Sequence, residues 1–263
     1  MSATTLSPTW PLKLLRPTEV EQFIECGFVA VRQAFSQDTA QAVLQWVWEK
    51  MGQDPHDRST WTKPVVHLRD FLHGEPFSQV YTPRLRAAMD DLLGADRYDC
   101  PNRSGWWPVR FPGHHQPPWR PPTDGWHVDG SQFHHRLASP DQGLLMIIIF
   151  SPIAAGDGGT AISLGSHKQC ARVLQAAEPQ GLSPQELGKA MRQYPLGTVI
   201  EANGQPGDVF IHHPMMNHAA SANCGDHPRI ITNKCVPLRE PLNFDPAVRP
   251  LSPVELGVTR ALS

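Results

Sequence analysis

Seven short runs decide the fold: SGWWPVRFP (104–112), GWHVDG (125–130), GLLMIIIFSPI (143–153), GTAISLG (159–165), GTVIE (197–201), GDVFIHHP (207–214) and RIITNKCVPL (229–238). Each is apolar or alternating, and Gly, Pro, Asn or Asp bound them, which is the punctuation of β-strands joined by turns. The 27 prolines of the chain agree with this. Proline breaks long helices but is tolerated at strand edges and in turns. One helix is expected to interrupt the runs, at about 184–193.

Toward the N-terminus the texture becomes helical. TEVEQFIECGFVAVRQAF (18–35) predicts a short capped helix, a stop at Gly27 and a strand carrying Phe28, Val29 and Val31. A second helix is expected from Asp38 to about Gly52, with Ala42, Val43, Trp46 and Val47 forming one face against a sheet. RLRAAMDDLLG (84–94) reads as a third, ended by Gly94. Helices first and strands afterwards pack as separate layers, so the expected class is mainly β with buttressing helices, an antiparallel barrel or jelly roll. PGHHQPPWRPPTDG (112–125) holds five prolines and predicts a long irregular loop, a kind that is usually functional or disordered. Without an internal repeat or a linker, residues 1–263 read as one domain: a helix-rich part to about 100, a β core to about 240 and a C-terminal tail over 241–263.

The 263 residues carry 23 Lys+Arg against 25 Asp+Glu, a formal charge of -2, and 18% charged positions. No basic run offers a footprint for a phosphate backbone or an anionic lipid surface, so the composition argues against nucleic acid and membrane as partners. No obligate protein partner is evident. The longest apolar run, Leu144 to Phe150, falls far short of the roughly 20 residues of a membrane helix. The opening MSATTLSPTWPLKLL lacks the long apolar core of a signal peptide. A cytoplasmic protein acting on a small molecule is expected. Five cysteines, an odd number with no CxxC pair, fit thiols better than a disulfide frame or a zinc knuckle.

Among 13 histidines the informative one has a companion: His127 and Asp129 in GWHVDG. On a strand, residues i and i+2 share a face, so one imidazole and one carboxylate aim together into the barrel mouth. A third ligand from a distant strand would complete a 2-His-1-carboxylate set, which leaves open positions on one face of iron(II). His212, His213 and His218 are the downstream candidates.

WHVDG (126–130), GDGGTAISLGSHK (156–168) and GDVFIHHPMMNHAASANCGDHPR (207–229) give the chain its resemblance. Over roughly residues 100–237 it resembles the phytanoyl-CoA dioxygenase family, iron(II)- and 2-oxoglutarate-dependent oxygenases on a double-stranded β-helix, a cupin-like jelly roll. The resemblance implies that His218 is the distal ligand. Family members place an arginine about eleven residues beyond that histidine to bind the far carboxylate of 2-oxoglutarate, and Arg229 has this spacing from His218 but not from His213. A guanidinium suits the role on physical grounds, since it pairs with a carboxylate in a bidentate, charge-assisted fork. His212 and His213 are then strand residues or neighbours of the ligands. The family often puts a serine two residues after the distal histidine; here that position is Ala220, and Ser221 follows it, turned away by strand alternation unless a bulge intervenes. Thr160 matches a position where some relatives offer the cosubstrate a hydroxyl. Leu164 replaces the proline of the usual PGSH, which should alter the turn and not the chemistry.

The resemblance therefore implies iron(II), 2-oxoglutarate and dioxygen as cofactors and cosubstrates. The expected catalytic and metal-binding residues are His127, Asp129 and His218, with Arg229, Thr160 and Ser221 at the cosubstrate. Arg110, Trp126, Gln132 and His134 are candidates for the substrate, because aromatic walls with a few fixed charges suit a small organic molecule. Structural readings stand beside these. His167 in GSHK reads as a turn or helix-start residue, His134 and His135 as solvated loop residues as readily as entrance residues, and Asp124 and Asp157 as turn residues. Trp106, Trp107, Trp119 and Trp126 read individually as barrel fillers. The expected reaction is hydroxylation of a C–H bond, with decarboxylation of 2-oxoglutarate to succinate. Desaturation, epimerisation or cyclisation in natural-product biosynthesis is the alternative on the same chemistry. Asp129 argues against halogenation, in which relatives replace the carboxylate by a small residue. A non-catalytic jelly-roll binding protein and a zinc hydrolase on the same ligands are the remaining readings, and neither needs Arg229.

Overall fold

The computed structural model describes residues 10–141 and 143–263. Helix α1 (Pro17–Cys26) opens with a capping box in which Glu19 accepts from the Arg16 amide at 2.8 Å. It ends at Gly27, where φ is 85° and a Cβ would lie 2.3 Å from Met216 Sδ and 2.6 Å from His167 Nδ1. Both the backbone conformation and the close approach require glycine. The chain turns at once into β1 (Phe28–Val31). Helix α2 (Gln37–Met51), capped by Ser36, buries Ala40, Val43 and Val47. Ala42, expected on the packed face, is exposed, because the row that meets the core begins at Ala40. The short strands β2 (Val65–Leu68) and β3 (Leu72–His73) follow, then α3 (Pro83–Leu93), capped by Thr82, and the strands β4 (Arg103–Ser104) and β5 (Trp107–Arg110). Between Arg110 and Leu144 the described residues form turns, bends and isolated bridges, and the loop over 112–125 is as its prolines predict. GWHVDG, expected as a strand, contributes only the isolated bridge at His127, because Gly125 and Gly130 bend the chain at both ends.

The rest of the chain supplies β6 (Leu144–Ile149), β7 (Ala161–Ser163), α4 (Ser166–Ala176), α5 (Pro184–Met191), β8 (Val199–Glu201), β9 (Val209–His212), β10 (His218–Ala219), β11 (Ile231–Val236) and α6 (Pro253–Leu262). One sheet has the order β1-β9-β6-β11, antiparallel throughout. An Arg110–Arg229 bridge brings β5, and β2 paired with it, to the β11 edge. The opposing sheet is β10-β7-β8, extended by a bridge between His127 and His218. Two antiparallel sheets in this order make a double-stranded β-helix, mainly β with helices on one side.

The continuous apolar run of β6 is explained by burial on both faces. Ile147 and Ile149 point between the sheets with Phe210, Ile231, Ile162 and Met216. Leu144, Met146 and Ile148 point outward onto Phe23, Val43, Val47 and Leu85 of the helical layer. Each such side chain contributes about 1.5–3 kcal/mol on full burial. The final helix is anchored electrostatically. Glu255, fully buried, accepts from Arg97 at 2.7 Å, Arg249 at 2.6 Å and the Asn243 amide at 2.7 Å. Among the described residues no helix is long and apolar enough to cross a membrane.

Candidate metal centre and active site

His127 follows Gly125 and Asp129 precedes Gly130, whose φ values of 73° and 123° bend the chain into and out of the short edge segment between them. That segment meets β10, so that His127 and His218 lie on one rung with ring centroids 4.4 Å apart. In each imidazole Nδ1 meets a backbone carbonyl: Gly125 at 2.8 Å for His127 and Met216 at 3.2 Å for His218. A carbonyl can only accept, so the proton sits on Nδ1 and the Nε2 lone pair is left for a ligand. Both Nε2 atoms face Asp129 Oδ1, at 3.2 Å and 3.6 Å. One donor atom from each of the three residues lies within 4.8 Å of the others.

The electrostatics suit a cation. Burial pushes the Asp129 carboxyl up, but His218 and His127 outweigh it and hold the group below the ordinary carboxylate range. Burial pulls His218 down, toward the neutral imidazole that ligates metals. Without metal, a proton on Nε2 of the half-exposed His127 bonds Asp129 and raises the pKa of the ring, and a metal ion takes the place of that proton. His218 Nε2 is buried without a hydrogen-bond partner. Native proteins seldom leave such an atom orphaned unless a ligand completes it. Two imidazoles and one carboxylate on a common face fit non-haem iron(II).

Arg229 is 1% exposed, and its Nε and Nη2 have no hydrogen-bond partner. Burial, and then Arg110, pull its pKa down to about 9. A buried cation without a counter-ion is costly, and the cost is explained if an anion binds there. Its backbone is fixed by two bonds with Arg110, at 3.0 and 2.8 Å.

The other sequence candidates separate clearly. His213 binds Val254 O through Nε2 at 3.1 Å, accepts from the Met215 amide at 3.2 Å and packs 4.7 Å from His167. His167, whose Nε2 meets Ile24 O at 3.0 Å, starts α4 in the core. Both are structural. His212 is buried with both ring nitrogens unpartnered, its ring edge-on to His218 at 6.0 Å. Thr160 is buried beside a glycine turn whose amides at Gly156, Gly158 and Gly159 all donate to Glu201, at 2.8–2.9 Å. Ser221 gives its one proton to Gly159 O at 2.6 Å and accepts from Trp119 Nε1 at 3.0 Å, so it pins that turn to the proline-rich loop. Trp126 is tied to Pro122 O at 2.8 Å, His134 to Gln180 O at 2.9 Å, and Gln132 is exposed; no contact joins these three to the triad. Sequence reasoning missed Glu201, which gathers the amides of the glycine turn, and Asn233 on the inner face of β11, whose buried Oδ1 has no hydrogen-bond partner. Both lie in runs that read as plain strands, and only the pairing of distant strands shows what they face.

Two histidines and a carboxylate thus converge, and a buried arginine carries two unpartnered nitrogens. The profile of the family described as Phytanoyl-CoA dioxygenase (PhyH) matches residues 23–231. The chain belongs to that family. Solved structures share the fold of this PhyH protein. The non-heme alpha ketoglutarate dependent carbocyclase SnoK from nogalamycin biosynthesis superposes with a TM-score of 0.51 at 20% identity, covering 85% of this chain and 84% of that one. EctD from S. alaskensis, in its apoform, gives 0.53 at 16% identity over 88% and 80% of the two chains. HygX from Streptomyces hygroscopicus, with nickel, 2-oxoglutarate and hygromycin B bound, gives 0.51 at 13% identity over 90% and 96%. No curated protein matches the sequence significantly.

Proposed function

We propose that this PhyH protein is an iron(II)- and 2-oxoglutarate-dependent oxygenase in which His127, Asp129 and His218 hold the metal and Arg229 anchors the far carboxylate of the cosubstrate. The observation that carries the reading is the convergence of three donor atoms within 4.8 Å, with both imidazoles locked in the Nδ1–H form. Family membership and solved relatives such as HygX, which holds 2-oxoglutarate, support it. When bound, iron(II) and 2-oxoglutarate supply the hard chemistry, oxidation of a C–H bond by dioxygen coupled to decarboxylation of the cosubstrate to succinate. The chain contributes position. Asp129 supplies the negative ligand, the backbone carbonyls at Gly125 and Met216 hold the imidazoles in their ligating tautomer, and Arg229 orients a carboxylate through a fork of donors. Thr160 adds a hydroxyl near the glycine turn. Isoleucines 147, 149, 162 and 231 and Phe210 keep the barrel interior dry beyond the site. Hydroxylation of a small organic molecule in the cytoplasm is the expected activity. The carbocyclase chemistry of SnoK keeps cyclisation as the second reading.

Anaerobic addition of iron(II) and 2-oxoglutarate tests this reading. A weak visible charge-transfer band is expected from the wild type and not from Asp129→Ala. A well-folded, metal-loaded protein without the band overturns it.

A further inference from the structure

We propose that the primary substrate is a small organic carboxylate, its carboxyl group paired with Arg110 and its body resting on Trp106. This deepens the iron-site reading above and rests on it. Arg110 and Arg229 are directly opposed on one antiparallel rung, so their side chains leave the same face. Neither has a carboxylate at ion-pair distance among the described residues, and the Nε of each is buried without a hydrogen-bond partner. The acid nearest in effect to Arg229 is Glu201, whose oxygens are already taken by the amides of the glycine turn. Two adjacent guanidinium groups, Arg229 buried and Arg110 partly buried, thus leave the same face of the rung.

Only one of them is needed by the cosubstrate. Iron(II) brings two positive charges, Asp129 one negative, 2-oxoglutarate two negative and Arg229 one positive, a set that is neutral. The charge of Arg110, partly buried with an orphaned Nε, is left over, and such a cation is stabilised when an anion meets it. A monoanionic substrate balances it. A guanidinium half-exposed at the rim of the barrel presents the fork that a carboxylate fits.

The surroundings of Arg110 supply a platform and more positive potential. Val65 opposes Arg110 across β2 and β5, so His67, two residues on, lies on the same face. Trp106 stands beside it with φ at 61°, a conformation that bulky residues avoid. The Thr232 hydroxyl holds this turn by donating to the carbonyls of Gly105 and Trp106. Its ring lies 5.2 Å from the His67 ring, and the Arg69 guanidinium stacks over it, also at 5.2 Å. Strained backbone that aims an aromatic ring beside unpartnered charge is characteristic of a binding surface. Burial, and then the charges of Arg110, Arg69 and Arg229, lower the pKa of His67, as a positively charged surrounding does. An arginine-lined cleft elsewhere, about 400 Å³ between β1 and β8, offers no such group. Its Arg32 is paired with Asp208 at 2.8 Å and its Arg16 with Glu19 at 3.0 Å.

The test uses the full chain loaded anaerobically with iron(II) and 2-oxoglutarate. Benzoate, 3-phenylpropanoate and N-acetylglycine are each titrated against their neutral carboxamides by calorimetry and by the shift of the charge-transfer band. At least one carboxylate should bind tenfold or more tightly than its amide. Arg110→Gln should erase that preference while the 2-oxoglutarate dissociation constant stays within threefold, and Arg110→Lys should retain part of it. Equal binding of acids and amides by the wild type overturns the proposal. So does a tenfold loss of 2-oxoglutarate affinity in Arg110→Gln, which would make Arg110 a second cosubstrate anchor. Failure of the wild type to form the chelate at all would refute the iron-site reading instead, and the two failures are told apart by that first spectrum.

Discussion

His127 and His218 exchange both of their backbone hydrogen bonds, each at 3.0 Å, so two imidazoles from opposite ends of the β core are held on one rung by main chain alone. Their placement does not depend on the side chains that meet there. Asp129 is the third corner, at 3.2 Å and 3.6 Å from the two Nε2 atoms. Removing its carboxylate should therefore empty the site of metal without unfolding the barrel. Asp129→Ala is expected to retain less than about a tenth of the wild-type iron, since removing only the hydrogen-bond partners of metal ligands already costs about 10–100-fold in affinity. Its melting temperature in metal-free buffer should stay near that of the wild type. Iron stoichiometry and thermal melts check both, and full iron occupancy in the variant contradicts the ligand assignment.

Arg229 combines deep burial with unpartnered donors, which predicts opposite effects of one substitution on binding and on stability. Arg229→Met should weaken 2-oxoglutarate binding by about 2–5 kcal/mol, the range for truncating one side of a buried charge pair. Without cosubstrate, the same change removes an uncompensated buried cation and keeps most of the packed volume. Denaturant melts of the ligand-free protein should then show unchanged or increased stability. A large loss of stability with unchanged 2-oxoglutarate affinity would make Arg229 a structural residue.

The strands were legible because β-structure writes itself locally, as alternation and turn residues. His127 and Asp129 were legible for the same reason, since two residues on one short edge segment need no tertiary information. The choice among His212, His213 and His218 was not local. It depends on where β9 ends and β10 begins, and the structure separates the three by what lies opposite: a core carbonyl for His213, no polar partner for His212 and Asp129 for His218. The bond from the Ser221 hydroxyl to Gly159 O was not legible either, because only the folded glycine turn brings the two together. Ala42 shows that of periodicity, which finds a helix more reliably than it finds the edge of the buried stripe.

Glu255 ties α6 to the body of the protein, and its loss should be felt as stability alone. Burial pushes its carboxyl up, but Arg249, Arg97 and the amides of Asn243 and Ser252 outweigh this and bring its pKa to about 2. Glu255→Ala leaves two arginines facing each other without their shared anion, a change expected to cost about 3 kcal/mol at neutral pH. Because the folded pKa lies below the unfolded one near 4.5, this contribution is complete above about pH 4.5 and fades as pH falls toward about 2. Denaturant melts of wild type and variant should therefore converge as pH is lowered through that window. Iron binding at neutral pH should be unaffected in the folded variant.

His167 and His213 make the fold sensitive to mild acid by a different route. They pack ring against ring at 4.7 Å in the core between α1, α4 and α6, each with its Nε2 on a backbone carbonyl. Burial, the largest influence on both, lowers the pKa of His167 to about 4 and that of His213 well below the ordinary histidine value. In the unfolded chain both titrate near about 6.5. Below that pH the unfolded state takes up protons that the folded state refuses, so stability is lost as pH falls from about 6.5 toward about 4. The slope approaches about 1.4 kcal/mol per pH unit for each histidine. Above about pH 5 the carboxylates contribute little to this slope, since they are ionised in both states. His167→Gln can keep the donor to Ile24 O without a titrating group, and it should flatten the dependence between pH 5 and 6.5 by about that amount. Urea melts across this range provide the measurement, and an unchanged slope in the variant would show that His167 is protonated in the folded core.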